Sequence, residues 1–332
     1  MVKLIESYMP PNTEFKFTKN MKQKDIVKLM LRKNEIKFAN HDDQRVRVLY
    51  KQQNDRKAQA IKTSFRPNLV MEPDEFETFA QRSLGVNLIP EPQRCLVCGT
   101  GTLDVKGDHD CSQGGATIKR HNIARDHYFE TARQGFVPCS REKTIYYTKG
   151  EVISYRPDIT FDEPIPGLTQ KKTASDFSFH HAFAKSYIKT ADNKEEGALA
   201  NQVDQEKEKL HLKALNENGY DFLPLGLESM ATLSEKSQEL AYYLIGQQSK
   251  QQGVPFAEAA AHFWYKLSFL IHRHSARCIL SRIRHRPFKP EKGWKESKKK
   301  KNGNKETPPP SNIPEPATQP VISNPNIPCI SV

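Results

Sequence analysis

The sequence predicts an α/β protein with a small mixed sheet, a short cysteine-rich segment before it, and two helices and a disordered tail after it. Elements in the order helix, three strands, helix, strand indicate the mixed sheet. Three of the six cysteines fall between residues 95 and 111, and residues 288–332 are rich in Lys, Pro, Ser and Asn with little to bury. We divide the chain into an N-terminal helical region (1–90), a cysteine segment (91–121), an α/β core (116–232), C-terminal helices (233–287) and a tail (288–332).

Two amphipathic helices are predicted in the N-terminal region. Residues 25–31 mix apolar and charged side chains at helical spacing. A second helix, over residues 74–84, has Phe76, Phe79 and Ala80 at positions i, i+3 and i+4, and Gly85 follows it. Neither segment carries a recognisable chemical motif.

The elements of the core are separated by Gly and Pro residues. A helix over 118–134 lies between Gly115 and Gly135, and a long polar helix over 193–218 stops at Asn218-Gly219. Short apolar or alternating runs predict strands. The predicted strands cover residues 144–148, 152–161, 173–180 and 220–228, and the predicted C-terminal helices cover residues 233–252 and 255–284.

Composition excludes several classes of protein. The 332 residues contain no apolar run near the roughly 18 residues that a membrane span requires, and no signal-like apolar core follows the first residues. Six cysteines are too few for a disulfide scaffold in a chain of this length. We therefore expect a soluble, unsecreted protein of a reducing intracellular compartment, which is nuclear if the source is eukaryotic.

Positive charge is concentrated late in the chain. The formal net charge is +12, and 13 Lys and Arg residues stand against two acidic residues between Arg273 and Lys305. Such a segment favours a polyanion, above all DNA or RNA, as its partner. The candidate phosphate contacts are the consecutive lysines Lys298, Lys299, Lys300 and Lys301. The alternative is a nuclear localisation signal or a solubilising tail.

The cysteine segment has the spacing of a zinc site. Cys95 and Cys98, with two residues between them, can both reach one zinc ion. His109 and Cys111 supply the second pair by proximity, and His121 competes with His109 as the fourth ligand. Four protein ligands leave no open position, so such a zinc ion is structural rather than catalytic. The alternative is a loop of free thiols.

Acidic residues on neighbouring strands form the second candidate site. Asp158 follows Arg156-Pro157, and Asp176 alternates with apolar neighbours on a strand that is expected to pair with the first. Two carboxylates that converge from adjacent strands repel each other unless a divalent cation lies between them. Mg²⁺ in that position would hold a scissile phosphate and activate a water molecule. The alternative is that each aspartate is an ordinary surface residue.

Three further charged residues can complete such a site. Lys207 and Lys209 on the following helix offer a cation for the charge that develops on phosphorus. Glu228, at the end of the next strand, offers a further metal or hydrogen-bond contact. Charged residues on a polar helix are also typical of a solvated surface.

These motifs occur in a fixed order along the chain. They are Cys95-x2-Cys98, Gly107-Asp108-His109 with Cys111, residues 120–126, Arg156-Pro157-Asp158, residues 175–178 and residues 222–229. The order resembles the C-terminal region of non-LTR retrotransposon polyproteins, in which a zinc knuckle precedes a restriction-like endonuclease of the PD-(D/E)xK type. The resemblance covers about residues 84–284.

The resemblance implies nicking of DNA with Mg²⁺ or Mn²⁺, in order to prime reverse transcription. It makes Asp158 the first metal-binding carboxylate and Asp176 the second. The lysine of the family usually stands two residues after the second acid, where this chain has Ser178. The family tends to move this lysine onto the next helix, where Lys207 fits and Lys209 is the reserve.

The resemblance also places Glu228 at the position of the acid that closes the following strand. A reverse transcriptase would need several hundred residues upstream, so we expect this chain to be the endonuclease end alone. The chain is then a fragment or a remnant of such a polyprotein, or the product of a gene that derives from one. Three functions follow: an active endonuclease, a degenerate copy without the chemistry, and a non-catalytic zinc-knuckle protein. In the last, Arg120, His121 and the basic segment would bind DNA or RNA.

Overall fold

The computed structural model describes residues 36–54, 69–111, 115–149, 151–192, 195 and 197–284. The predicted helix at 25–31 and the tail at 288–332 lie outside these residues. In chain order the helices are α1 (Gln44–Asn54), α2 (Pro73–Ser83), α3 (Gly115–Gln134), α4 (Ile188–Ala191), α5 (Ala198–Glu217), α6 (Glu235–Gln252) and α7 (Phe256–Arg284). The strands are β1 (Gln93–Arg94), β2 (Thr102–Leu103), β3 (Cys139–Arg141), β4 (Ile145–Lys149), β5 (Glu151–Tyr155), β6 (Ile159–Phe161), β7 (Lys172–His180) and β8 (Tyr220–Glu228).

A four-stranded mixed sheet organises the described residues, which confirms the predicted combination of helices with a small mixed sheet. Its strand order is β3-β6-β7-β8. The β3–β6 and β6–β7 pairs are antiparallel, whereas β7 and β8 run parallel from Lys172↔Tyr220 to His180↔Glu228. A parallel pair needs a crossover connection, and α5 supplies it. The helix α5 contacts β7 and β8 on one face of the sheet, while α3 and α6 contact the other face.

The predicted strand over 152–161 is wrong, because it is two strands in two different sheets. The first part, β5, pairs with β4 in a separate two-stranded hairpin, and β6 joins the main sheet. The chain breaks between them at residues 156–158, where Pro157 has no N–H group for a ladder. The short edge strand β3 was not predicted. This break places Asp158 immediately before the buried strand β6.

The other predicted elements match the structure to within a few residues, except that α5 begins at Ala198. Pro73 occupies the first turn of α2, where its missing N–H costs nothing. Ser234 caps α6 by accepting a hydrogen bond from the Ser237 N–H at 3.2 Å. Gly253 ends α6 with φ +64°, a conformation that glycine adopts without steric cost.

The main core lies between the sheet and the helices α3, α6 and α7. Tyr128 is fully buried there; its ring packs edge-on against Phe177 and Phe263, and its hydroxyl donates to the Ser237 carbonyl at 3.0 Å. The helix α3 leaves the side chain of Ile118 61% exposed. Its core face is the i, i+4, i+8 series through Ala124, Tyr128 and Ala132.

On the other face of the sheet, α5 lies unusually close to β8. A Cβ atom on Gly226 would stand 2.6 Å from the Ala200 carbonyl oxygen of α5, which is nearer than real Cβ contacts. Only glycine therefore fits at this point of the strand. The close approach fixes the depth at which α5 lies against β7 and β8. None of the helices in the described ranges is both long enough and apolar enough to traverse a lipid bilayer.

Two buried histidines predict an acid-sensitive fold. Burial lowers the pKa of His127 and of His272 to about 3, so both imidazoles are neutral in the folded state. In the unfolded chain their pKa is about 6.5. Below that pH the unfolded state binds two protons that the folded state does not bind. The free energy of unfolding therefore falls as pH drops from 6.5 towards 3, by on the order of 2 kcal/mol per histidine at pH 5.

Urea unfolding at pH 7 and pH 5 measures this effect. We expect His127→Gln, which keeps a donor for the Phe263 carbonyl that lies 3.1 Å from His127 Nε2, to reduce the pH dependence. His262→Gln changes an exposed histidine of α7 and is the control. Equal pH dependence in the wild type and both variants would contradict the expectation.

Candidate metal centres

Asp158 is a buried carboxylate at the start of β6. The residue is 7% exposed, and its Oδ2 atom accepts two hydrogen bonds. One comes from the backbone N–H of Phe177 on β7 at 2.7 Å, and the other joins it to His121 Nε2 on α3 at 2.8 Å. The carboxylate is thus held by a neighbouring strand and by a helix, with its orientation fixed.

Asp176 lies in the middle of β7 with its side chain towards α5. Lys207 Nζ, on α5, donates to Asp176 Oδ2 at 2.5 Å and to the Phe177 carbonyl at 3.0 Å. Lys209 is exposed two residues further along the same helix. Of the two candidate lysines, Lys207 is the one that the fold brings to the acid pair. Ser178, two residues after the second acid, is buried.

His121, Asp158 and Asp176 come together as one group. Each offers one ligand atom, and the three atoms lie within 4.8 Å of one another. From the sequence, the two aspartates were expected in one site, whereas His121 was expected at the zinc site or in a nucleic-acid contact. No feature of the sequence fixed the rotation of α3 over the sheet, which is what brings His121 to Asp158.

The two carboxyl groups have pKa values shifted in opposite directions. Burial works against ionisation of Asp158, but the hydrogen bond and charge of His121, together with the Phe177 N–H, outweigh burial and lower the pKa of Asp158. Burial raises the pKa of Asp176, only partly offset by the charge of Lys207. Burial lowers the pKa of His121, but Asp158 outweighs this effect and raises it. Such divergence is typical of acid pairs that share a site.

Glu228 lies apart from this group. Its Oε2 accepts from Gln52 Nε2 of α1 at 2.7 Å, and its Oε1 accepts from the Ala200 N–H of α5 at 3.2 Å. In the β7–β8 register Asp176 is opposite Pro224, four residues before Glu228, which is about 13 Å along the strand. Glu228 is 2% exposed and ties α1 and α5 to the end of β8. The structure therefore does not support the predicted contact of Glu228 with the acid pair.

The cysteine segment forms a second cluster of ligands. Cys95, Cys98 and His109 offer atoms within 4.8 Å of one another, and Cys98 Sγ lies 3.2 Å from His109 Nε2. The Gly101 N–H points at Cys98 Sγ from 3.2 Å. This hydrogen bond, followed by that to His109, lowers the pKa of Cys98 to about 6, which favours the thiolate that metals bind.

A short hairpin and a 3-10 helix build this cluster. The strands β1 and β2 pair on either side of Cys95 and Cys98, and the 3-10 helix Asp108–Cys111 carries His109. A Cβ atom on Gly101 would lie 2.3 Å from the His109 ring, so a larger residue there would displace the ring from the cluster. The side chain of Cys111 lies outside the described part. His121 belongs to the aspartate group, which leaves His109 as the histidine of the cysteine cluster.

Arg120 and two arginines of the basic segment, which were predicted to contact nucleic acid, make contacts within the protein instead. Arg120 is fully buried, with its guanidinium 4.9 Å from the centre of the Phe179 ring, so it is not a surface contact. In the basic segment, Arg273 Nε bonds Glu75 of α2 at 3.0 Å, and Arg277 pairs with the same carboxylate. These arginines hold α2 against α7. Lys298, Lys299, Lys300 and Lys301 lie outside the described residues.

An open pocket of about 400 Å³ lies beside the aspartate group. Its lining includes His121 and Asp158 and, in addition, two arginines and a glutamate that the sequence analysis missed. These are Arg125, Arg156 and Glu142. Arg156 precedes Pro157-Asp158 and Arg125 lies within the motif at residues 120–126, whereas Glu142 had no sequence cue. The group of His121, Asp158 and Asp176 therefore adjoins a pocket that is lined in part by cationic side chains.

The chain was compared with models of protein families and with curated proteins. Neither comparison found a match. The resemblance to retrotransposon endonucleases therefore depends on the order of the motifs along the sequence alone.

Proposed function

We propose that this protein is a retroelement-derived DNA endonuclease that nicks a strand with Mg²⁺ or Mn²⁺. The observation that supports this best is the convergence of Asp158, Asp176 and Lys207 from β6, β7 and α5. A carboxylate pair with an adjacent lysine is the set of groups expected from the PD-(D/E)xK resemblance. The mixed sheet with α3 and α5 on opposite faces agrees with a restriction-like core.

The donor atoms suit a divalent cation. Asp158 and Asp176 would hold the ion, because carboxylate oxygens are ligands that suit both Mg²⁺ and Mn²⁺. When bound, the cation lowers the pKa of an attacking water and neutralises charge on the phosphate. Metal binding would also relieve the mutual repulsion of the two carboxylates.

The chain's own groups have distinct tasks in this proposal. The Phe177 N–H and His121 keep the Asp158 carboxylate in one orientation. The ammonium group of Lys207, fixed by Asp176 and by the Phe177 carbonyl, lies where negative charge develops on the phosphate oxygens. Glu228 acts at a distance, as a residue that positions α5 and therefore Lys207.

The cysteine cluster fits a structural zinc ion in the same proposal. Two thiols and an imidazole are donors that zinc prefers, and Cys111 is the expected fourth. We expect Cys98→Ser to lower zinc affinity by more than the roughly 10–100-fold that loss of a ligand's hydrogen-bonding partner costs. The zinc content per chain, measured by plasma mass spectrometry, should fall from about one to near zero.

Cys139→Ser is the matched control for zinc, because Cys139 is a half-buried cysteine of β3 outside the cluster. It should keep its zinc. If Cys98→Ser also retained a full equivalent after dialysis against a chelator, the cysteine cluster would not be the zinc site.

The alternative is a zinc-knuckle protein that binds nucleic acid without cutting it. The cysteine cluster favours this alternative, because it is complete enough to hold a metal whether or not the aspartates are active. Incubation of purified protein with supercoiled plasmid distinguishes the two functions. Relaxation with Mg²⁺ or Mn²⁺ that EDTA abolishes supports the endonuclease. A gel shift of the plasmid without cleavage, by folded and zinc-loaded protein, supports the binding module.

A further inference from the structure

The pocket beside the aspartate group contains a network of arginines that the proposed chemistry does not use. Glu142 accepts from Arg125 Nη1 and from Arg156 Nη2. Asp126 accepts from Arg125 Nε at 2.9 Å and from Arg141 Nη1 at 2.9 Å. Three arginines and two carboxylates thus alternate in one chain of ion pairs. The network has a net charge of +1, so the acids do not neutralise it.

Glu142 joins this network directly to the candidate metal centre. Its φ of +53° is in the left-handed region, which non-glycine residues rarely adopt and in which residues at functional sites are common. Its N–H donates to the Asp158 carbonyl at 3.0 Å. The same residue therefore orients two guanidinium groups with its carboxylate and contacts the chain at Asp158 with its backbone.

The two pocket arginines differ in exposure in a way that suits a ligand. The Arg125 side chain is 7% exposed, whereas the Arg156 side chain is 55% exposed at the opening. Each guanidinium has five N–H donors in a planar fork, and the bonds to Glu142 and Asp126 use only some of them. A guanidinium group that carboxylates already hold in place loses little side-chain entropy when it binds two oxygens of an anion.

We propose that Arg125 and Arg156, oriented by Glu142, form a subsite for a backbone phosphate of a DNA strand next to the one that is cut. This inference rests on the proposed function for the identity of the strand. A phosphodiester group offers two oxygens to a planar fork, and the pocket lies open beside His121 and Asp158. The subsite would fix the position of the strand relative to the aspartates without reading its sequence.

The test is DNA binding in EDTA, where no cleavage occurs. The affinity of a fluorescein-labelled duplex is measured at several salt concentrations for the wild type and for Arg156→Ala. We expect binding about tenfold weaker, and a slope of log affinity against log salt that is smaller by about 1, as for the loss of one phosphate contact. Arg156→Lys keeps the charge but not the fork and should restore the affinity only in part.

Arg133→Ala is the matched control, because it removes the same charge from an exposed position about 18 Å from His121 along α3. It should change neither affinity nor slope appreciably. Equal losses in Arg156→Ala and Arg133→Ala, or no loss in either, would overturn the subsite. Displacement of the duplex by a mononucleotide at matched ionic strength would overturn the assignment to a strand.

The outcome is separable from that of the proposed function. If the wild type does not cut plasmid but Arg156→Ala still weakens binding selectively, the subsite stands and the endonuclease activity does not. If the wild type cuts and Arg156→Ala leaves both KM and the salt slope unchanged, the endonuclease stands and the subsite is wrong.

Discussion

Replacing either aspartate of the acid pair is expected to reduce plasmid nicking by at least about 1,000-fold. Asp158→Asn and Asp176→Asn keep the shape of each side chain but remove the charge that would hold a divalent cation, and electrostatic stabilisation of this kind is the largest contribution to many enzymatic rates. Because the two residues act as one unit, the double variant should be no worse than the single variants. The measurement is the initial rate of supercoiled-to-open-circle conversion in Mg²⁺ and in Mn²⁺.

Asp162→Asn is the control, because Asp162 lies just beyond the other end of β6 and pairs with exposed Lys143. It should nick at a rate near that of the wild type. DNA affinity of the Asp158→Asn and Asp176→Asn variants should be unchanged or slightly higher, since less negative charge faces the phosphates. Persistent nicking by a pure, folded Asp158→Asn/Asp176→Asn protein would mean that the acid pair does not carry the activity.

The second large effect is expected for Lys207. Removing one preorganised donor from a site of developing charge costs on the order of 10²–10³ in rate, and we expect Lys207→Ala to fall in that range in single-turnover nicking. Lys209→Ala is matched in residue type, charge change and helix, but its side chain is exposed. It should retain activity within a factor of about 2 of the wild type.

The pH dependence of nicking tests the role of Lys207 independently of the rate at a single pH. Burial raises the pKa of Asp176, and the charge of Lys207 lowers it by a smaller amount. Removing Lys207 should therefore raise the pKa of Asp176 further. Activity that needs ionised Asp176 is lost when the pH falls below this pKa. The acid limb of the rate profile should therefore move to higher pH in Lys207→Ala and stay in place in Lys209→Ala. If the acid limb stayed at the same pH in both variants, the assignment of Lys207 as the partner of Asp176 would be contradicted.

The elements of this fold were largely predictable because they are local. The strand predicted at residues 220–228 contains the apolar run 222–227 and begins just after Asn218-Gly219, where α5 ends, and its bounds agree with β8. The break at Pro157 was the exception. Asp158, the residue of most chemical interest in that region, stood within the strand in the prediction and lies before it in the structure.

The site was predictable only in part because its geometry is not local. Convergence of Asp158 and Asp176 followed from the expectation that their strands pair, which β6 and β7 do. Glu228 was assigned wrongly to the site because its distance along β8 depends on the register with β7. His121 was missed because α3 must rotate into place over the sheet. Glu142 had no sequence cue, and Arg125 stood only within the motif at residues 120–126, because tertiary structure alone brings the two residues together.

The close packing of α5 on β8 at Gly226 determines whether Asp176 keeps its lysine. Asp176 and Lys207 belong to different elements, and the covalent connection between them runs through the α4 region. Their pairing therefore depends on how deeply α5 lies on the sheet, and at Gly226 that depth leaves no room for a Cβ atom. A side chain at position 226 would push α5 outward and separate the ammonium group from the carboxylate, so a glycine that contributes no atom to the site controls its charge balance.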